Sequence, residues 1–139
     1  MTENQYKIRI GKQIIGLNIF FAMVLLALYV AGGFDSEEIV KVAQMLAPIH
    51  LMYFSAVMSY IIANPYKEEE DKSQTLSGLF SQVSTWFIWL HIVGLLLVFA
   101  MKAFNILDFE VVMNIALGIE TFFGAYIGNF LSKLFKNNE

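Results

Sequence analysis

The chain contains no cysteine, so neither disulfide bonds nor thiolate metal ligands are open to it. Charge is scarce as well. Asp, Glu, Lys and Arg make up 15% of the 139 residues, where soluble domains carry about a quarter. The formal net charge is only −3. No basic patch is interleaved with aromatics and no segment reads as a recognition helix, so no nucleic-acid partner is expected. A Ser-His-Asp pattern, an HExxH and a phosphate-binding loop are all missing, and enzyme chemistry is therefore not expected. There is no internal repeat and no low-complexity tract.

What the chain does have is apolar length. Hydrophobic residues make up 58% of it, and its mean hydropathy is +0.61. A membrane-spanning helix needs about 20 predominantly apolar residues. Four segments meet that requirement: "IIGLNIFFAMVLLALYVAGGF" over 14–34, "VAQMLAPIHLMYFSAVMSYIIA" over 42–63, "VSTWFIWLHIVGLLLVFAM" over 83–101 and "VVMNIALGIETFFGAYIGNFL" over 111–131. The expected fold is all-α: a polytopic membrane protein with four transmembrane helices in one bundle, a single domain over 1–139. Too little chain remains outside the segments to form a soluble catalytic domain. The first segment follows basic residues, as a signal peptide would. Its apolar run is longer than an h-region and no clear A-x-A site follows, so it reads as a retained helix.

Basic residues favour the cytoplasmic side of short loops. With four spans, the N-terminus, the second loop and the C-terminus share a side. That side holds Lys7, Arg9, Lys12, Lys67, Lys72, Lys133 and Lys136, while the other holds only Lys41 and Lys102. The expected orientation is N-in, C-in, in a bacterial or archaeal cytoplasmic membrane. Trp86 and Trp89 then fall toward the cytoplasmic end of the third helix, where an aromatic belt belongs. The loop over 65–79, containing "KEEED", is the longest connection. It reads as a solvated connector or a docking surface for a cytoplasmic protein partner. On the outer side Asp35, Ser36 or Asp108 are candidate caps for the helices that follow them.

Both histidines of the chain fall inside the apolar segments. At 1.5 Å per residue, His91 and Glu120 come near the midplane and His50 about 4–5 Å toward the outer side. Asn18 is placed nearer the cytoplasmic face. A charged side chain at bilayer centre costs on the order of 3 kcal/mol on insertion scales. Glu120 therefore stays protonated or shares a proton with a histidine, and it faces protein or water. An intramembrane acid is by default a functional-site hypothesis, here an ion or proton path through Glu120, His91 and His50. The plainer reading is a polar cluster that joins helices.

Small and weakly polar residues mark further faces. Gly124 and Gly128 form a GxxxG, and Gly118 lies nearby, so these glycines are candidates for helix packing. At 100° per residue Asn114, Gly118, Thr121, Ala125, Gly128 and Ser132 share one face, with Glu120 about 100° or more away. In the second helix Gln44, Pro48, Ser55 and Ser59 share a face, and Pro48 should kink the helix. In the third, Ser81, Ser84, Thr85 and His91 form a polar track. Asn18, Ser55, Ser59, Ser84, Thr85, Asn114 and Thr121 are the candidate pore-lining residues.

The expected function is an oligomeric channel for ions or protons, or a membrane-permeabilising pore. The centre of a single four-helix bundle is filled, so a homo-oligomer with polar faces around a shared axis is expected. In size and architecture the chain is similar to the membrane-permeabilising effectors of prokaryotic defence and lysis systems. It is similar in length and span number to small multidrug-resistance exporters, but the acid those carry in the first helix is missing here. Like the four-helix proteolipids of rotary ATPases it has a lone acid in helix four, but it is far richer in Phe. A small transporter, or a non-conducting anchor or assembly subunit, are the alternatives. Two imidazoles and a carboxylate suit zinc or iron. The spacing forms no recognisable metal motif, so no metal and no cofactor are expected.

Overall fold

The computed structural model describes residues 3–63 and 78–134, with side chains over 5–62 and 82–129. The connection over 64–77 lies outside the described residues, and so does all but the end of the docking surface expected over 65–79. Among the described residues four helices make up the fold: α1 (Glu3–Val30), α2 (Ser36–Ala63), α3 (Gly78–Ala103) and α4 (Phe109–Leu134). All four are long and apolar enough to cross a membrane, which points to an integral membrane protein.

The helices do not coincide with the apolar segments. α1 begins at Glu3, well before residue 14, and stops at Val30 rather than 34. Helical hydrogen bonding runs on into the polar flank, because the backbone satisfies itself there as well as in hydrocarbon. The early stop is a glycine effect. Gly32 takes a positive φ of 82°. The amide of Gly33 then donates to Leu28 O and that of Gly32 to Tyr29 O, each at 2.9 Å, which is a Schellman ending. α3 ends the same way, with Asn105 at φ 55° and Ile106 donating to Met101 O at 2.8 Å.

Two tight connections follow these endings. In the first, the Glu38 amide donates to Asp35 Oδ1 at 2.8 Å and the Asp35 amide donates to Glu38 Oε2 at 3.1 Å. This is a capping box at the start of α2. Asp35, not Ser36, is the side-chain cap; the Ser36 hydroxyl instead meets Tyr29 OH at 3.1 Å. Asp108 precedes α4, and its carbonyl accepts from Val112. The two connections meet: a Cβ at Gly33 would lie 2.5 Å from the Ala103 Cβ. Lys102 ties them together by bonding Glu38 at 3.1 Å and lying over the Phe34 ring. This closed end of the bundle is called the hairpin end below. The opposite end, where α1 begins and α4 finishes, is called the terminal end.

Each helix packs mainly on two others: α1 on α2 and α3, and α4 on α2 and α3. Contacts such as His50 with Glu120 and Tyr53 with Gly124 run in the same chain direction, so α2 and α4 are parallel. The pairs α1·α2 and α3·α4 are antiparallel hairpins. Apolar core residues run the length of the bundle, from Tyr6, Ile10 and Ile14 to Leu95, Phe99 and Val112. Outside it, Met23, Leu26, Trp86, Leu90, Leu97 and Phe122 are exposed. So much apolar surface suits hydrocarbon rather than water.

Candidate functional site

Each helix contributes one polar side chain to the centre of the bundle: Asn18 from α1, His50 from α2, His91 from α3 and Glu120 from α4. Glu120 and His91 are buried, each 2% exposed, and His50 is half-buried. Asn18 Nδ2 donates to Ile14 O at 2.6 Å, one turn back on its own helix. That bond leaves Asn18 Oδ1 facing His50, where it accepts from Nδ1–H. The proton on Nδ1 fixes the tautomer of a neutral His50 and turns its Nε2 lone pair inward.

Inward of His50 lies the Glu120 carboxyl group, and a neutral His50 with its lone pair there is hydrogen-bonded only when Oε1 carries the proton. Glu120 Oε1 is 3.2 Å from His50 Nε2 and 3.1 Å from His91 Nε2. Its other oxygen, Oε2, is buried and has no protein partner among the described residues. The two imidazoles stack at 5.9 Å. Phe21 lies flat on His50 at 5.4 Å, and Phe123 packs on His91 at 5.5 Å. Tyr53 stands edge-on to His91 at 6.4 Å. Its hydroxyl passes 3.2 Å from where a Cβ at Gly124 would be, so glycine makes room for the phenol. The rings shield the cluster from lipid and hold the imidazoles in place. Chemically, the arrangement can hold a cation or share protons among His50, Glu120 and His91, with Asn18 only orienting His50, because uncompensated charge there would carry a large desolvation penalty.

Asn18 lies level with His50, not nearer one face. Placing it from a helix over 14–34 sets the centre of α1 too far along the chain; with α1 starting at Glu3, Asn18 is close to mid-helix. His50 also meets Glu120 and His91 directly. Ser84 is buried, and Thr85 half-buried. Ser55, Ser59, Asn114 and Thr121 are exposed on the outside of the bundle. Thr121 Oγ1 donates to Leu117 O at 2.8 Å. A Cβ at Gly118 or Gly128 would meet nothing within 4 Å among the described residues. Pro48 is exposed within α2.

Two residues near the site were not foreseen. Gln13 Oε1 and the Tyr53 hydroxyl, like Ser84 Oγ, are buried without a partner among the described residues. Gln13 precedes Asn18, Ser84 precedes His91 and Tyr53 follows His50, so all three lie on the terminal-end side of the cluster. Ser84 shares a helix face with His91, seven residues on, whereas no sequence signal marks Gln13 or Tyr53. On the hairpin side the core holds Phe21, Phe34 and Phe99, with ring contacts at 6.1 Å. A lipid-facing apolar groove of about 500 Å³ between α1 and α2 ends on Asn18 and His50, and it accounts for the residual exposure of His50. The chain matches no protein-family model, no curated protein and no solved structure.

Proposed function

We propose that the protein is an oligomeric membrane channel for ions or protons, with the Asn18–His50–Glu120–His91 cluster as the station that holds the permeating cation. The observation that carries this reading is the convergence of both histidines on one carboxylate oxygen, at 3.1 and 3.2 Å, at mid-depth of all four helices. Intramembrane acids and histidines that face the bundle interior mark ion paths and proton relays. The buried polar atoms of Gln13, Tyr53 and Ser84 supply steps between the cluster and the terminal end.

Self-association fits the outer surface. Ser55 and Ser59 on α2 and Asn114, Gly118, Thr121 and Ala125 on α4 are exposed, on parallel neighbouring helices. Small and hydroxyl-bearing residues suit helix–helix contact better than lipid. The orientation, with both termini in the cytoplasm of a bacterium or archaeon, rests on the distribution of Lys and Arg.

The test is cation efflux from proteoliposomes, wild type against Glu120→Gln, with oligomeric state measured on both. Wild type should conduct, and the variant should lose about tenfold or more of the flux, the equivalent of about 1.4 kcal/mol in the barrier. Wild-type vesicles that stay tight, with unchanged assembly, would instead favour a non-conducting anchor in which the cluster only joins helices.

A further inference from the structure

The same cluster has the composition and geometry of a metal centre. We infer that His50, His91 and Glu120 bind one divalent first-row transition-metal ion of the zinc class. The inference deepens the reading above by naming the cation that the station takes. It rests on the cluster being a cation station, not on conduction.

The donor set comes first. Two imidazoles and one carboxylate are borderline ligands that suit Zn²⁺ and Fe²⁺, and they are too few oxygens for Ca²⁺ or Mg²⁺. Two histidines and a glutamate that leave a fourth position open are a known zinc arrangement.

Distances agree with the donors. Ligand bonds of about 2.0–2.1 Å place the corners of a tetrahedral zinc site about 3.3 Å apart. Glu120 Oε1 already lies 3.2 Å from His50 Nε2 and 3.1 Å from His91 Nε2. All three ligand atoms fall within 4.8 Å of one another, so the remaining edge, between the imidazoles, exceeds the tetrahedral spacing by about 1.5 Å at most. Bundle cores build metal sites in this way, from inward side chains on facing helices.

Two further observations point to a ligand rather than to hydrogen bonding alone. Glu120 Oε2 is buried and unpartnered among the described residues, although the Glu120 side chain is 0% exposed. Hydrogen bonds to the histidines leave that oxygen unused, whereas a metal takes a carboxylate through one or both oxygens. Asn18, for its part, accepts from His50 Nδ1–H and is itself oriented by Ile14 O at 2.6 Å. This outer support is typical of metal-bound histidine: it fixes the ring and directs Nε2 at the metal. The proposal departs from the sequence-based expectation of no metal. Spacings of 41 and 29 residues between the three ligands form no motif, and only the bundle brings them together.

The test uses the purified full chain in detergent, stripped of metal and then given Zn²⁺ or Co²⁺ alone. The wild type is expected to retain about one Zn²⁺ per protomer after dialysis and to give the intense visible absorption of tetrahedral Co²⁺. His91→Ala and Glu120→Gln should weaken binding by about a hundredfold or more, and Asn18→Ala by about 10–100-fold as an outer-shell change. Leu97→Ala, on the exposed outer surface, should leave binding unchanged. Helicity by circular dichroism identifies any variant that fails to fold. The wild-type stoichiometry and Co²⁺ spectrum decide the matter without variants. A wild type that binds no Zn²⁺, or an octahedral Co²⁺ spectrum, overturns the inference, as does equal binding by folded His91→Ala. Stoichiometric metal in vesicles that do not conduct upholds the site and removes the conduction reading. Conduction without metal binding does the reverse.

Discussion

The two halves of the bundle on either side of the Glu120 cluster are built differently. Toward the hairpin end the core is apolar and aromatic, with Phe21, Phe34 and Phe99 in contact. Lys102 seals that end against Glu38 and the Gly33 carbonyl. Toward the terminal end, buried polar atoms of Gln13, Tyr53 and Ser84 lie among the apolar residues without partners among the described residues. A buried unpaired polar group costs about 1–3 kcal/mol. A chain that needed only packing would fill both halves alike. Aromatic packing is common to both halves, with Phe87 stacked on Tyr126 at 4.2 Å in the terminal one, so what sets the terminal half apart is its unpartnered polar atoms, the atoms that the proposed path would use.

Three substitutions test this contrast. The largest effect is expected from Phe99→Ala, which removes a buried ring from the sealed half. Thermal or denaturant unfolding in detergent should show a loss of about 3 kcal/mol, and proteoliposomes should leak more than the wild type. Unchanged leak with lowered stability would mean that the ring packs but does not seal. A smaller loss, about 2 kcal/mol by the same unfolding measurement, is expected from Gly33→Val, because its side chain would collide with Ala103 where the two hairpins meet. Ser84→Ala should have the smallest effect on stability, about zero or slightly favourable, since an unpartnered hydroxyl is removed. Its flux should nevertheless fall. Loss of stability on Ser84→Ala would show that the hydroxyl is bonded and the terminal half is as tightly made as the other.

Much of the architecture was legible in the sequence, because hydrocarbon thickness and backbone satisfaction leave few options for long apolar runs. Helix number, the interior position of Glu120 and the Asp35 cap all follow from such local rules. The ends of α1 did not, because apolarity marks the hydrocarbon while hydrogen bonding marks the helix. The wrong centre for α1 moved Asn18 away from His50. That shift left Asn18 out of the cluster expected from Glu120, His91 and His50, since the contact between residues 18 and 50 depends on how two helices register. Tyr53 was also illegible. An aromatic on an apolar helix reads as core, and the room for its hydroxyl depends on Gly124 standing opposite it. The outward position of Ser55, Ser59, Asn114 and Thr121 depends on helix rotation, which periodicity alone leaves free.

The most direct test of the contrast uses the absence of cysteine from the chain, which makes any single introduced thiol unique. Ser84→Cys and Leu95→Cys place thiols on α3 on opposite sides of His91, both at fully buried positions. The rate of modification by a small, charged, membrane-impermeant thiosulfonate would be measured in proteoliposomes. The account predicts that Ser84→Cys reacts and Leu95→Cys does not. Equal reaction at both positions, or reaction at Leu95→Cys alone, would contradict it.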